Sequence, residues 1–168
     1  MGYNFKEDLQ KAKFAEEKFI SWCKDKNVKY EDVRLEKHYQ DLDVDVVIYK
    51  DDKPVNIEIK SDDGIAKYSN NITIELISNM QYSTEGWWVK TTKEGGSKWL
   101  LFYSPQRNLF YKIKTDDLKQ YIKERGFLRK LEMFNSWCGL INLNSFCRWK
   151  GIELDSLIFM QQNKERVA

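Results

Sequence analysis

Polar and apolar residues alternate with period two over two neighbouring stretches of the chain. Val44, Val46 and Ile48 interleave with Asp43, Asp45 and Val47, and Val55, Ile57 and Ile59 interleave with Asn56, Glu58 and Lys60. Period two with β-branched residues predicts strands. Asp51-Asp52-Lys53-Pro54 between them reads as a hairpin turn with proline at its exit. Residues 4–25 show the other period. Phe5, Leu9, Ala12, Ala15, Phe19, Trp22 and Cys23 recur at helical spacing, with Asn4 as cap and Glu7 completing a capping box.

The remaining elements follow from weaker patterning. Lys29–Tyr39 alternates Val33 and Leu35 with charged residues, as an exposed edge strand does. Ser61–Asn71 is a polar loop. Ile72–Ser78 is a strand in which Glu75 faces away from Ile74 and Leu76. Trp87-Trp88-Val89 begins a fifth strand, and Gly95-Gly96 turns into Trp99–Tyr103, apolar enough for a buried strand. Pro105–Asn108 turns into Leu109–Ile113, and Thr115-Asp116-Asp117 starts a helix that Gly126 stops. Beyond Phe127 the pattern weakens: Gly139–Leu143 is a short strand or connector, Leu154–Met160 a closing helix, and 161–168 a frayed tail. The expected fold is α/β, a mixed central sheet with antiparallel hairpins flanked by helices.

Composition narrows the function classes. A chain of 168 residues suits one domain, and 42% hydrophobic with 32% charged residues is ordinary for a soluble protein. No apolar run approaches the ~18 residues of a membrane span, and the polar N-terminus is no signal peptide, so a cytoplasmic protein without a membrane partner is expected. Cys23, Cys138 and Cys147 are odd in number and widely spaced, which reads as reduced core thiols. His38 is the single histidine, so neither Ser-His or Cys-His nucleophilic chemistry nor a His-based zinc site has support. A net charge of +2 neither announces nucleic acid nor excludes it.

The first hairpin carries the chemistry. On its strands Asp43 and Asp45 share one face, as do Glu58 and Lys60. Neighbouring carboxylates repel, and a hard divalent cation removes the conflict. A lysine beside such an ion can hold water or stabilise charge on phosphate, which points to metal-assisted phosphodiester hydrolysis. The same alternation also describes a hairpin whose polar face is merely solvated. Glu16, on the buried stripe of the first helix, is a candidate to reach the metal; the margin of the stripe would instead let it reach solvent.

Asp45 followed a hairpin later by Glu58-Ile59-Lys60 resembles the PD-(D/E)XK nuclease superfamily, the restriction-endonuclease-like fold. Ile72-Thr-Ile-Glu-Leu-Ile-Ser78 followed by Gly86-Trp87 is similar to a bacterial and phage subset of it. The resemblance covers roughly residues 5 to 115. It departs at Val44, where a small residue is usual, at Asp43, which competes with Asp45 for the metal, and at the insertion-like Lys93–Ser97. The resemblance implies a deoxyribonuclease using Mg²⁺, with Mn²⁺ able to substitute. It implies Asp45, Glu58 and the Ile59 carbonyl as metal ligands, Lys60 as the group positioning the attacking water, and Glu16 and Glu75 as accessory carboxylates. Lys67, Tyr68 and Asn70 in the polar loop are candidate contacts to phosphate or sugar, and Arg148, in a basic-aromatic patch, to phosphate and base. Such nucleases often act as homodimers. The alternative is a non-catalytic nucleic-acid- or protein-binding module that keeps the fold.

Overall fold

The computed structural model describes residues 5–66 and 69–160. Helix α1 (Phe5–Asp25) leads to β1 (Tyr30–Asp32), a one-turn helix α2 (Lys37–Gln40), β2 (Val46–Lys50) and β3 (Lys53–Ser61). Next come β4 (Ile65–Ala66), β5 (Ser69–Asn79), β6 (Thr84–Glu85) and helix α3 (Trp87–Thr91). Strands β7 (Trp99–Ser104) and β8 (Leu109–Lys114) precede α4 (Thr115–Arg125). Strands β9 (Arg129–Met133) and β10 (Ser136–Asn142), helix α5 (Leu143–Lys150), a 3₁₀ turn at Leu154–Leu157 and β11 (Ile158–Phe159) follow.

The fold is α/β, with a mixed main sheet in the order β1-β2-β3-β7-β8-β11. Every neighbouring pair is antiparallel except β3–β7, which is parallel. The β2–β3 turn is a two-residue reversal. Asp51 and Asp52 both adopt positive φ (51° and 58°), the twist that suits a tight hairpin and that short polar side chains tolerate. A second sheet, β4-β5-β10-β9 with β6 also on β5, is antiparallel.

Alternation sorts the main sheet into two faces. Ile57, Ile59, Leu101 and Tyr103 pack against Ala15, Phe19 and Cys23 of α1. Leu100, Phe102, Tyr111 and Ile113 turn the other way and join Ile72, Ile74 and Ile141 of the second sheet. Trp87, Leu118 and Phe146 complete that core, so α3, α4 and α5 are seated between or beside the sheets. Glu58 and Lys60 belong to this second face by register, opposite Leu100 and Phe102.

Several sequence expectations are corrected. Trp87-Trp88-Val89 is helical because Gly86, tucked against the Glu75 carbonyl, turns the chain and delivers the two indoles inward. Lys29–Tyr39 is strand only over Tyr30–Asp32, after which Val33 is buried and the chain turns into α2. The polar loop is largely strand, since β4 and the start of β5 pair with each other. Leu154–Met160 is a 3₁₀ turn and a short strand, because Ile158 and Phe159 find partners in Tyr111 and Phe110 of β8. The region after Phe127 holds a full hairpin and a helix. The α1 stripe packs only from Ala15 onward; Phe5 and Leu9 are exposed. Asn4 and residues 161–168 lie outside the described residues. Cys23, Cys138 and Cys147 are buried free thiols, each raised by burial.

Candidate active site

Asp43 and Asp45 do not sit on a regular strand. The ladder of β2 begins at Val46, and Asp43 lies just before it with φ of 53°. The turn is pinned by Val44 N–H donating to the Tyr39 carbonyl at 3.0 Å and by Asp45 N–H donating to the Ile57 carbonyl at 3.0 Å. This delivers both carboxylates to β3. The Asp45 carboxylate accepts from the Ile59 N–H at 2.9 Å. The Lys60 ammonium lies 3.0 Å from the Asp43 carboxylate and also pairs with Glu58.

Glu58 is the most confined of the four, with 2% of its surface exposed. One of its oxygens, Oε2, is buried and has no hydrogen-bond partner. A buried carboxylate oxygen without a donor is costly. Burial, with repulsion from Asp45 and Asp43, raises the Glu58 carboxyl well above its ordinary value despite Lys60. Asp45 is pushed up to about 6, by burial first and then by repulsion from Glu16 and Asp43; the Lys60 ammonium and the Ile59 N–H oppose the rise. Burial alone would lower Lys60, but the charges of Glu58, Asp43 and Asp45 outweigh it and hold the ammonium protonated. Lys60 also stands 5.2 Å from the centre of the Trp87 ring, a favourable cation–π placement.

Lys60 opens onto a cleft of about 1010 Å³. One wall is the N-terminal half of α1, with Phe5 and Lys11; the other is the outward face of the second sheet. Register puts Glu75 opposite Cys138 and Cys138 opposite Leu131 on that face. Glu75 therefore reaches the cleft from β5, which pairs with β10 and not with the Glu58 strand. Asp62, in the floor, ties the two sheets together. Its carboxylate accepts from Gly64 N–H at 2.8 Å and Thr73 N–H at 2.7 Å, while its own N–H donates to the Tyr103 carbonyl at 2.9 Å. Burial pushes Asp62 up to about 6.

The other expected residues divide. Glu16 is near enough to Asp45 to repel it, yet its carboxylate is held 2.7 Å from the Arg34 guanidinium, which also binds Glu17 and Asp32. Asn70 pairs with Ile65 in the β4–β5 ladder, with its Oδ1 buried and unpartnered. Arg148 is not brought to the cleft: it lies on α5 beside a separate depression with Asn142 and Glu153. Lys67 and Tyr68 lie outside the described residues. The sequence reading missed Asp62, Arg34, Lys11 and the contact of Lys60 with Asp43. Asp62-Asp63-Gly64 carried a legible signal, since Asp two residues before Gly favours the side-chain-closed turn seen here.

Asp45 and Glu58 are the carboxylates here that could hold a divalent cation. Both are pushed toward their protonated forms by burial and by neighbouring carboxylates, and Glu58 Oε2 lacks a donor. Among the described residues no three Asp, Glu, His or Cys side chains converge on one point. Such an ion would thus rest on two carboxylates, leaving positions for backbone, water or phosphate oxygen.

No protein-family model matches this chain, and neither does any curated protein. Among solved structures it is similar to a bacterial homing endonuclease, I-Ssp6803I, at 13% identity and a TM-score of 0.46, over 95% of this chain and 82% of that one. It is also similar to a nuclease from a fusselovirus, at 14% identity and a TM-score of 0.46, over 87% of each chain.

Proposed function

We propose that the chain is a metal-dependent deoxyribonuclease hydrolysing phosphodiester bonds at the Lys60 cleft. The observation that carries this reading is the buried Glu58, its Oε2 left without a donor, beside the half-buried Asp45 and a lysine that faces an open cleft. Asp45 and Glu58, with the Ile59 carbonyl, would hold Mg²⁺ or Mn²⁺. The ion supplies a Lewis acid for a phosphate oxygen and acidifies bound water. Lys60 then holds the attacking water and the charge that grows on the phosphate; Asp43, already 3.0 Å from its ammonium, orients it. Glu75 faces the same space from the second sheet and is placed to accept a proton. Glu16 contributes only if it leaves Arg34, so its effect is indirect.

The test is cleavage of supercoiled, linear duplex and single-stranded DNA with Mg²⁺, Mn²⁺ or chelator. Wild type cuts only with metal. Lys60→Ala and Asp45→Ala each lose at least about 100-fold in rate. DNA binding by wild type without cleavage under any metal would replace this reading with a binding module.

A further inference from the structure

The cleft is poor in positive charge. Among the described residues that line it, Lys11, Lys60 and Arg129 are outnumbered by Glu7, Asp8, Asp62, Asp63 and Glu75. Lys11 is moreover held 3.0 Å from Asp63. Affinity for a polyanion comes chiefly from cations that displace its counterions, and this surface has few to offer.

The opposite face of the main sheet has them. In the β7–β8 register Lys112 lies opposite Leu101 and Lys114 opposite Trp99, the face turned away from Lys60. The Lys112 ammonium stands 4.1 Å from the centre of the Trp99 ring and 5.3 Å from that of Phe159; the Lys114 ammonium stands 5.4 Å from Trp99. At the end of the first hairpin Lys50 and Lys53 are directly opposed, on the same face as Ile48 by alternation. Like charges so placed destabilise a sheet. Of the neighbouring carboxylates, Asp52 is engaged with Lys29 at 3.7 Å and Asp117 with Lys150 at 2.7 Å. Burial, then repulsion from Lys50 and Lys114, lowers the Lys112 ammonium from its ordinary value. Lys112 and Lys114 thus flank one indole, and Lys50 is near enough to Lys112 to repel it.

We propose that the face formed by Lys50, Lys53, Lys112, Lys114 and Trp99 is a second nucleic-acid contact that holds the phosphate backbone of duplex DNA. The choice of DNA rests on the function proposed above. The face lies across the sheet from the scissile site, so it grips backbone remote from the bond that breaks. It adds affinity for long duplexes and leaves the hydrolytic step alone.

The experiment compares wild type with Lys112→Glu/Lys114→Glu and Lys112→Gln/Lys114→Gln on a duplex of roughly one helical turn and one of roughly four. Binding is read by fluorescence anisotropy across a salt series, cleavage in parallel, and folding by thermal melting. The glutamate variant is expected to lose about tenfold or more in affinity for the long duplex, and its plot of log affinity against log salt to flatten by about two units. The glutamine variant loses less but in the same direction, and both cut the short duplex at the wild-type rate. Unchanged long-duplex affinity and salt slope in correctly folded variants would overturn the proposal while leaving metal-dependent cleavage intact. Conversely, if wild type never cleaves but the lysine variants still lose affinity, the nuclease reading falls and this contact stands. Wild type that binds no DNA overturns both.

Discussion

Asp45 is a carboxylate that the fold makes uncomfortable, and this has a measurable sign. Its ordinary value is near 3.8 and the folded protein raises it to about 6. The folded state therefore binds the proton more tightly than the unfolded chain, and stability falls as pH rises between these values. Asp45→Asn should match wild type in stability near pH 4 and exceed it above pH 6, by up to about 3 kcal/mol in the metal-free protein. Thermal melts of both proteins across that range check it, because groups that do not sense Asp45, Asp62 among them, cancel in the difference. Added Mn²⁺ or Mg²⁺ at pH 7.5 should raise the wild-type melting temperature and leave Asp45→Asn nearly unmoved. At this scale the sequence was readable where alternation applied: Glu58 and Lys60 share a face as expected. It was not readable where side chains meet across long separations, as Arg34 meets Glu16 or Asp62 meets Thr73, because nothing in a local pattern records such a meeting.

Elements were legible in proportion to the strength of their own period. The β2–β3 hairpin, β7–β8 and α4 follow from residues within each. Helix α5 was missed although it carries a signal: Leu143, Phe146 and Cys147 at helical spacing, Asn142 capping through Ser145 N–H at 3.1 Å, and Gly151 at φ 73° behind it. Its eight residues are too few for the period to dominate the flanking strand. Helix α3 was misread because three apolar residues fit either period, and its direction depends on Gly86. A Cβ there would lie 2.3 Å from the Glu75 carbonyl oxygen, a backbone atom that cannot swing aside. Gly86→Ala is accordingly expected to cost about 1–3 kcal/mol and to pull Trp87 off Lys60. Urea unfolding monitored by tryptophan fluorescence reads both effects.

At the scale of the whole molecule, one of the apolar layers is shared by two sheets, and another lies between the main sheet and α1. Phe102, fully buried, stacks edge-on against Trp87 at 6.1 Å and lies in register with Lys60. Phe102→Ala should cost about 3–5 kcal/mol and lower cleavage more than melting alone explains, because the indole under Lys60 loses its support. Denaturation and activity measured at a temperature where the variant remains folded separate the two. The mixed α/β class was visible in the sequence, but the second sheet was not, because β5 meets β10 only after β7, β8 and α4 have intervened. That long excursion orders events on the ribosome. The β2–β3 hairpin can close early, while β5 waits with Ile72 and Ile74 unshielded until Ser136–Asn142 has been made. A nascent chain halted before that point carries its lysine and carboxylates but no second wall, so it would be prone to aggregate and, on the function proposed above, would lack a complete cleft in which to cut.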